Sequence, residues 1–394
     1  MASKWLKKIA VLLAVGIAVG AAGCSGGEES GETAQTVEGT GEASANETED
    51  TAERVGYIFH GDAQGGGFSE ELNNQRILAD KYGGVETMYI DNVTISDFEQ
   101  AVQTLVDAGC SYIVAGSSVY TNVLSSTAGK YMDIDFIGYG TRVRSANVYG
   151  YVEQSFQGAY IAGMAAAYNS ESEKIGVVAD EDMIFSTAVV NAAALGVQLV
   201  YSNGEVYAAY GTTDDEVTQA IDALTDEGCD VIICYTESGA AADYCEQMGI
   251  SFIGSLDYRD TAEDYENMLM YFCCRRDSFF LSQYKLITTG EWSSDTFAAN
   301  MSNGVVVVSD ALPAAKDGTS EIIAALAPRV TSGQAYIFSG ELKDNNDSIK
   351  YMAGEYMEPV EIYTMSWYVK GASSLGSFRQ PLDTLETNSF EIKY

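Results

Sequence analysis

The sequence predicts an α/β protein of two Rossmann-like lobes, each built on a parallel sheet, facing one another across a ligand cleft. Three observations predict it. The stretch Gln100–Val114, QAVQTLVDAGCSYIV, returns as Gln219–Ile233, QAIDALTDEGCDVII, with Gln, Ala, Leu, Asp, Gly and Cys in register. The echo widens to RVGYIFHGD against KIGVVADED and to DFIGYG against SFIGSL. Within each copy a segment of helical periodicity stops at a glycine and runs into a β-branched apolar strand. Apolar strands alternating with helices are the pattern of βαβ units, whose parallel strands are buried on both faces. Two such halves bring the loops beyond their strands' carboxyl ends to the two sides of one cleft, where ligands of open α/β sheets lie.

Taken in order, the chain opens with Lys4, Lys7 and Lys8 ahead of an apolar run from Ile9 to Gly23. That run is shorter than the about 20 residues of a spanning helix and fits the h-region of an export signal. Small residues Ala21, Ala22 and Gly23 precede Cys24, as in a lipoprotein signal. Residues 1–23 are therefore expected to be a signal peptide and Cys24 the lipidated residue; an ordinary cleaved signal with a chance cysteine is the alternative. Several acyl chains, each contributing about 0.8 kcal/mol per buried CH₂, would hold the protein on the extracytoplasmic face of the cell membrane. Residues 24–53 are mostly Gly, Ser, Thr, Ala and acid, without an aromatic ring. They cannot bury enough to offset the entropy of ordering and read as a disordered acidic tether.

The first half then runs as a strand ending at His60, the glycine-rich loop GDAQGGGFSEE, a polar helix, a strand over Tyr89–Val93, the first repeated helix and strand, and DFIGYG. The second half repeats this order, with its second strand over Val206–Tyr210. Lobe 1 is expected to comprise 54–155 and 273–303, lobe 2 to comprise 156–272 and 304–370, and 371–394 to be a C-terminal extension.

Composition excludes several functions. The chain carries 57 acids against 21 bases, a formal net charge of -36, the reverse of the basic footprint that nucleic-acid binding needs. Its one histidine, His60, rules out a His-based metal site or a Ser-His-Asp triad elsewhere. There is no nucleophile-elbow G-x-S-x-G, no G-x-x-x-x-G-K-[ST] phosphate loop and no G-x-G-x-x-G. Acid pairs such as Asp180-Glu181-Asp182 are what this composition produces by chance. No catalytic residue, metal or cofactor is expected. The six cysteines after Cys24 lie on apolar runs without CxxC spacing and read as buried free thiols.

The landmarks VGYIFHGDAQGGGFSEELNNQ, YVEQSFQGAYIAGMAAA, KIGVVADEDMIFSTAVVNAAALGV and DEGCDVIICYTESGAAADYCEQMG occur in that order, followed by CCRRDSFF, GEW, GVVVVSDA, IFSGELKDN and MSWYVKG. Over residues 54 to about 370 this series resembles the basic membrane protein family, lipoproteins with the type I periplasmic-binding-protein fold that serve ABC importers. The resemblance implies a purine nucleoside, nucleobase or similar heterocycle, captured between the lobes and passed to a separate permease and its ATPase. It implies stacking on Phe68 at the family's loop aromatic, with packing under the first helix as the alternative, and on Tyr210 near the family's other aromatic. It also implies ribose binding near Asp257 and a basic contact near Arg275 or Arg276, with Cys274 at the aligned position. Relatives often carry an acid where this chain has Gly65 and Asn where it has Ser69. That departure leaves Asp62 to substitute from the same loop, or Ser69 to donate alone.

At the strand ends, AGSSVY supplies Ser117, Ser118 and Tyr120, and CYTESG supplies Thr236 and Glu237 at the repeat-equivalent place; ordinary turn chemistry is the alternative for these polar groups. Asn191 matches a recurrent family position, and His60 is read as lining the cleft mouth. The reading is a lipid-anchored, non-enzymatic solute-binding protein of an ABC importer. The alternatives are a surface sensor for a membrane signalling partner and an exported nucleoside hydrolase.

Overall fold

The computed structural model describes residues 52–140, 145–180, 185–378 and 390–394. The expected signal peptide, Cys24 and nearly all of the tether lie outside the described residues.

Lobe 1 begins β1 (Arg54–Ile58), α1 (Gly67–Gly83), β2 (Glu86–Ile90), α2 (Phe98–Asp107), β3 (Tyr112–Ala115), α3 (Thr121–Ala128), β4 (Asp135–Tyr139) and β5 (Val148–Glu153). The chain crosses into α4 (Phe156–Asn169), β6 (Lys174–Ala179), α5 (Ser186–Val197), β7 (Glu205–Tyr210), α6 (Asp214–Asp226), β8 (Val231–Tyr235), α7 (Ala240–Met248), β9 (Ser251–Gly254) and β10 (Met268–Cys274). It returns through α8 (Asp277–Thr289) and β11 (Thr296–Ala299), then crosses again to β12 (Val306–Val308) and α9 (Thr319–Thr331). A hairpin, β13 (Leu342–Lys343) and β14 (Ile349–Tyr351), α10 (Pro359–Tyr363) and β15 (Ala372–Ser377) follow.

The strands form one sheet of order β11-β5-β4-β3-β1-β2 and a second of order β12-β10-β9-β8-β6-β7-β15. Pairings are parallel in both except β10 with β12. This is the two-lobed α/β architecture expected from the repeat. Strand β15 lies within 371–394 and completes the edge of the second sheet beside β7. Farther on, Lys393 exchanges backbone hydrogen bonds with Tyr89 of β2, and its Nζ meets the Asp91 carboxylate at 2.8 Å.

The repeat has a physical meaning in the core. In α2, Phe98, Ala101, Val102 and Leu105 are buried; in α6, Val217, Ala220, Ile221 and Leu224 are. Both sets follow the i, i+3, i+4, i+7 spacing of one helix face. Leu105 and Leu224 are fully enclosed, and truncating such a leucine to alanine costs about 2–5 kcal/mol. Thr213 and Glu216 cap α6 reciprocally, a pairing whose loss costs about 1 kcal/mol. Between α4 and α5, a Cβ on Gly163 would stand 2.1 Å from the Ala193 carbonyl, so only glycine lets these helices meet so closely.

The second strand differs from its expected span: β2 starts at Glu86, not Tyr89, and ends at Ile90. Asn92, at φ 55, breaks the regular ladder after Ile90, although the Val93 N–H still donates to the Phe59 carbonyl at 3.1 Å. Among the described residues no helix is long and apolar enough to cross a membrane. The six cysteines among them are buried and unbridged. Burial raises the thiol pKa of Cys110 and Cys229 to about 12, which keeps them protonated and unreactive.

Candidate functional site

Strands β1 and β3 of one sheet, and β6 and β8 of the other, run toward a common seam. Beyond β1 the loop 59–66 leads into α1. Beyond β3 stands Ser117, beyond β6 Asp180, and beyond β8 Thr236 and Glu237. Two cavities occupy this seam. The outer one, about 510 Å³, is lined from one lobe by residues that include His60, Asp62, Gly65 and Ser69, and from the other by Asp180, Thr212–Asp215 and Glu237. The inner one holds about 20 Å³, room for one water-sized body. Four rings wall it, Phe68, Tyr139, Tyr235 and Phe272, with Arg276, Glu153 and Glu237.

The lobes are in direct contact there. The Phe68 N–H donates to the Glu237 carbonyl at 2.8 Å, and the Ser117 hydroxyl donates to the Glu237 carboxyl at 3.0 Å. Gly67 permits this approach: its φ is +73, and a Cβ on it would stand 2.2 Å from the Glu237 carbonyl oxygen. Asp180 accepts the Thr236 hydroxyl at 2.8 Å and the Glu237 N–H at 2.7 Å. Burial, reinforced by the neighbouring Asp180 carboxylate, pushes the Glu237 carboxyl up to about 8. At neutral pH it is mostly protonated and can donate as well as accept.

Arg276 organises the inner cavity. Its guanidinium forks onto Glu153 at 2.6 and 2.9 Å and bonds Glu71 of α1. It lies over the Phe68 ring at 4.6 Å and the Tyr139 ring at 5.5 Å. Tyr139 donates its hydroxyl to Glu153 at 2.7 Å. Glu71 also accepts the Asp257 N–H at 3.1 Å, another link between the halves; burial raises its pKa.

The structure thus brings together Phe68, Ser69, Asp62, Ser117, Thr236 and Glu237. Phe68 is 4% exposed, with its ring against Tyr139 at 4.9 Å and one face under the guanidinium. The Ser69 hydroxyl accepts the Gly61 N–H at 3.0 Å, shaping the loop. A Cβ on Gly65 would stand 2.9 Å from the Asp62 Cβ; a side chain at 65 and the present Asp62 conformer compete for the same space.

Ser117 joins the seam through its bond to Glu237 and, like the remaining expected residues, lines neither cavity. Ser118 is buried, with its hydroxyl unpartnered. Tyr120 is a core residue whose hydroxyl donates to the Val93 carbonyl. The Tyr210 hydroxyl meets that of Tyr368 at 2.5 Å. Asp257 pairs with Arg259 at 2.5 Å. Asn191 is buried and ties α5 to Trp367 and Val369. Cys24 lies outside the described residues.

Arg275 stands aside while Arg276 points in. Both lie past the end of β10, and Arg276 already has helical backbone (φ -92, ψ -13) at the start of α8, from where it lines the inner cavity with Cys273 and Cys274. The repeat would have flagged Asp180, which stands where the first half has His60. Glu153, Tyr139 and Tyr235 carry no signal beyond their places at strand ends, and Phe272, inside β10, carries none. Among the described residues there is no group of three or more His, Cys, Asp or Glu that could hold a metal.

A family model described as ABC transporter substrate-binding protein PnrA-like, the Bmp family, matches residues 52–254. Over 331 residues the chain is 25% identical to a purine-binding protein of Brucella abortus, across 81% of this chain and 92% of that protein. It is 24% identical over 315 residues to a candidate ABC transporter glucose-binding protein of Haloferax volcanii, across 78% of each. Among solved structures, an ABC transporter solute-binding protein from Aeropyrum pernix has a like fold, with a TM-score of 0.61 at 16% identity over 74% of this chain and 93% of that one.

Proposed function

The chain belongs to the PnrA-like family of ABC transporter substrate-binding proteins, and from that membership we propose that it captures a purine nucleoside, a nucleobase or a similar flat heterocycle between its lobes. The family consists of binding proteins, not enzymes, which carry small-molecule ligands to a permease on the extracytoplasmic side.

The observation that carries the proposal is the ring-walled inner cavity at the lobe seam. Phe68, Tyr139, Tyr235 and Phe272 offer apolar faces, while Glu237, Glu153, Thr236 and Arg276 offer edge donors and acceptors. Flat faces with a few convergent polar groups suit an aromatic ring system that carries nitrogen and oxygen on its rim. The purine-binding relative supports this choice; the glucose-binding relative supports a sugar, which needs hydroxyl partners more than four rings.

In the arrangement described the inner cavity is too small for a purine. The lobes therefore part to admit the ligand, and its ring competes with the Arg276 guanidinium for the face of Phe68. Glu237, which lines both cavities, takes hydrogen bonds from ligand and opposite lobe together. Closure is favoured to the extent that the ligand contacts both lobes better closed than open. Calorimetric titration with adenosine tests this: we expect one saturable site per chain, and an absence of binding opposes it.

A lipid anchor at Cys24 belongs to the same proposal, with the permease and its ATPase as separate chains. Cys24→Ser should move the protein from the membrane fraction to the soluble fraction; continued membrane retention would count against the anchor.

A further inference from the structure

Where the chain crosses between the lobes, a further cavity of about 340 Å³ opens. Small-molecule sites occupy roughly 300–1,000 Å³, so its size suffices for a ligand. Gln154 and Gln157 line it from the crossing between β5 and α4; Asn300 and Ser302 line it from the crossing between β11 and β12. The segment after α9, and α10, close it with Tyr336, Phe338 and Ile362.

Its chemistry sets it apart from the seam. Charged residues make up 20% of the chain, yet none lines this cavity, whereas Asp62, Asp180, Asp214, Asp215 and Glu237 all line the outer cleft. Phe338 and Ile362 are buried walls. Tyr336 stays 42% exposed, its hydroxyl donating to the Met357 carbonyl at 2.8 Å. The glutamines are wired to the crossings. Gln157 Oε1 accepts the Met301 N–H at 2.8 Å, its Nε2 donates to Gln154 Oε1 at 3.0 Å, and Gln154 Nε2 donates to the Tyr363 hydroxyl at 3.1 Å. Each of these amides has a second N–H beyond those bonds.

We propose that this cavity is a second ligand site, taking a neutral, flat molecule with amide-type donors and acceptors, such as an aromatic carboxamide. Aromatic and aliphatic walls bury the ring, the glutamine amides pair with its polar edge, and an ion would be desolvated without a countercharge.

The test is ligand-observed NMR on the intact protein with benzamide and its cationic counterpart benzamidine. Benzamide should bind at least tenfold more tightly than benzamidine. Ala335→Trp, which fills the cavity, should weaken benzamide at least tenfold, and excess adenosine should not displace it. Equal or tighter binding of benzamidine would mean that the acidic surface, not this cavity, is the receptor. Displacement by adenosine, full binding by Ala335→Trp or no detectable benzamide binding would likewise overturn the proposal. The benzamide-to-benzamidine ratio needs no variant, so it decides even if Ala335→Trp fails to fold. Adenosine failing to bind would count against the cleft reading alone.

Discussion

Removing the guanidinium of Arg276 would leave the Glu153 and Glu71 carboxylates buried without their shared cation. Breaking such a cluster by deleting one member typically costs about 3–5 kcal/mol, because a buried charge loses its compensation. Arg276→Met should lower unfolding stability in urea by about that much, and adding Glu153→Gln should restore part of it, since the two residues act through one another. A loss below about 1 kcal/mol would mean that the cluster is solvated rather than structural. Glu237 gives a pH signature. The unfolded chain releases this proton near 4.5, while the folded protein holds it to about 8. Its contribution is fully present below pH 4.5 and is lost as pH rises toward 8, at no more than about 1.4 kcal/mol per pH unit. Melting curves across that window should show the wild type losing stability relative to Glu237→Gln; parallel profiles would contradict the shift. At this scale the sequence was legible where a motif sat at a strand end: Phe68, Thr236 and Glu237 were named from loops. It was illegible where the site depends on which of two adjacent residues in a turn enters the cavity, as with Arg276 against Arg275 after β10. It was also illegible where a ring at a strand end, such as Tyr139 or Tyr235, reads like any core aromatic.

The start of α1 is where loop chemistry becomes lobe contact. Gly67 turns the chain at φ +73 and lies against the Glu237 backbone across the seam. Gly67→Ala would put a Cβ into that carbonyl and strain a left-handed backbone position, a cost of roughly 1–2 kcal/mol before any clash. The lobes could then close only by shifting the loop. We expect adenosine affinity to fall at least tenfold while each lobe keeps its secondary structure by circular dichroism, a loss of about 1.4 kcal/mol; unchanged affinity would show that closure does not use this contact. The repeated helices α2 and α6 were readable because their four buried apolar positions follow one helical face and glycine stops both. Strand β2 is expected too late because Tyr89, Ile90 and Val93 carry β-propensity that outweighs Asp91 and Asn92 between them. The left-handed Asn92 follows the end of the regular ladder, and asparagine alone does not announce that conformation.

For the whole molecule, the internal repeat and the order of the landmarks carried the fold, and family membership carries the binding role. The acidic surface did not identify the ligand: the outer cleft shares its acidity with the rest of the chain, and the ring-walled cavity appears only when strands far apart in sequence converge. The central claim is that this convergence receives a flat heterocycle. Its most direct test is calorimetric titration of the intact protein with adenosine and, in parallel, with glucose. We predict a single saturable adenosine site and no heat from glucose. Saturable glucose binding with no adenosine binding would contradict the claim while leaving the fold and family intact.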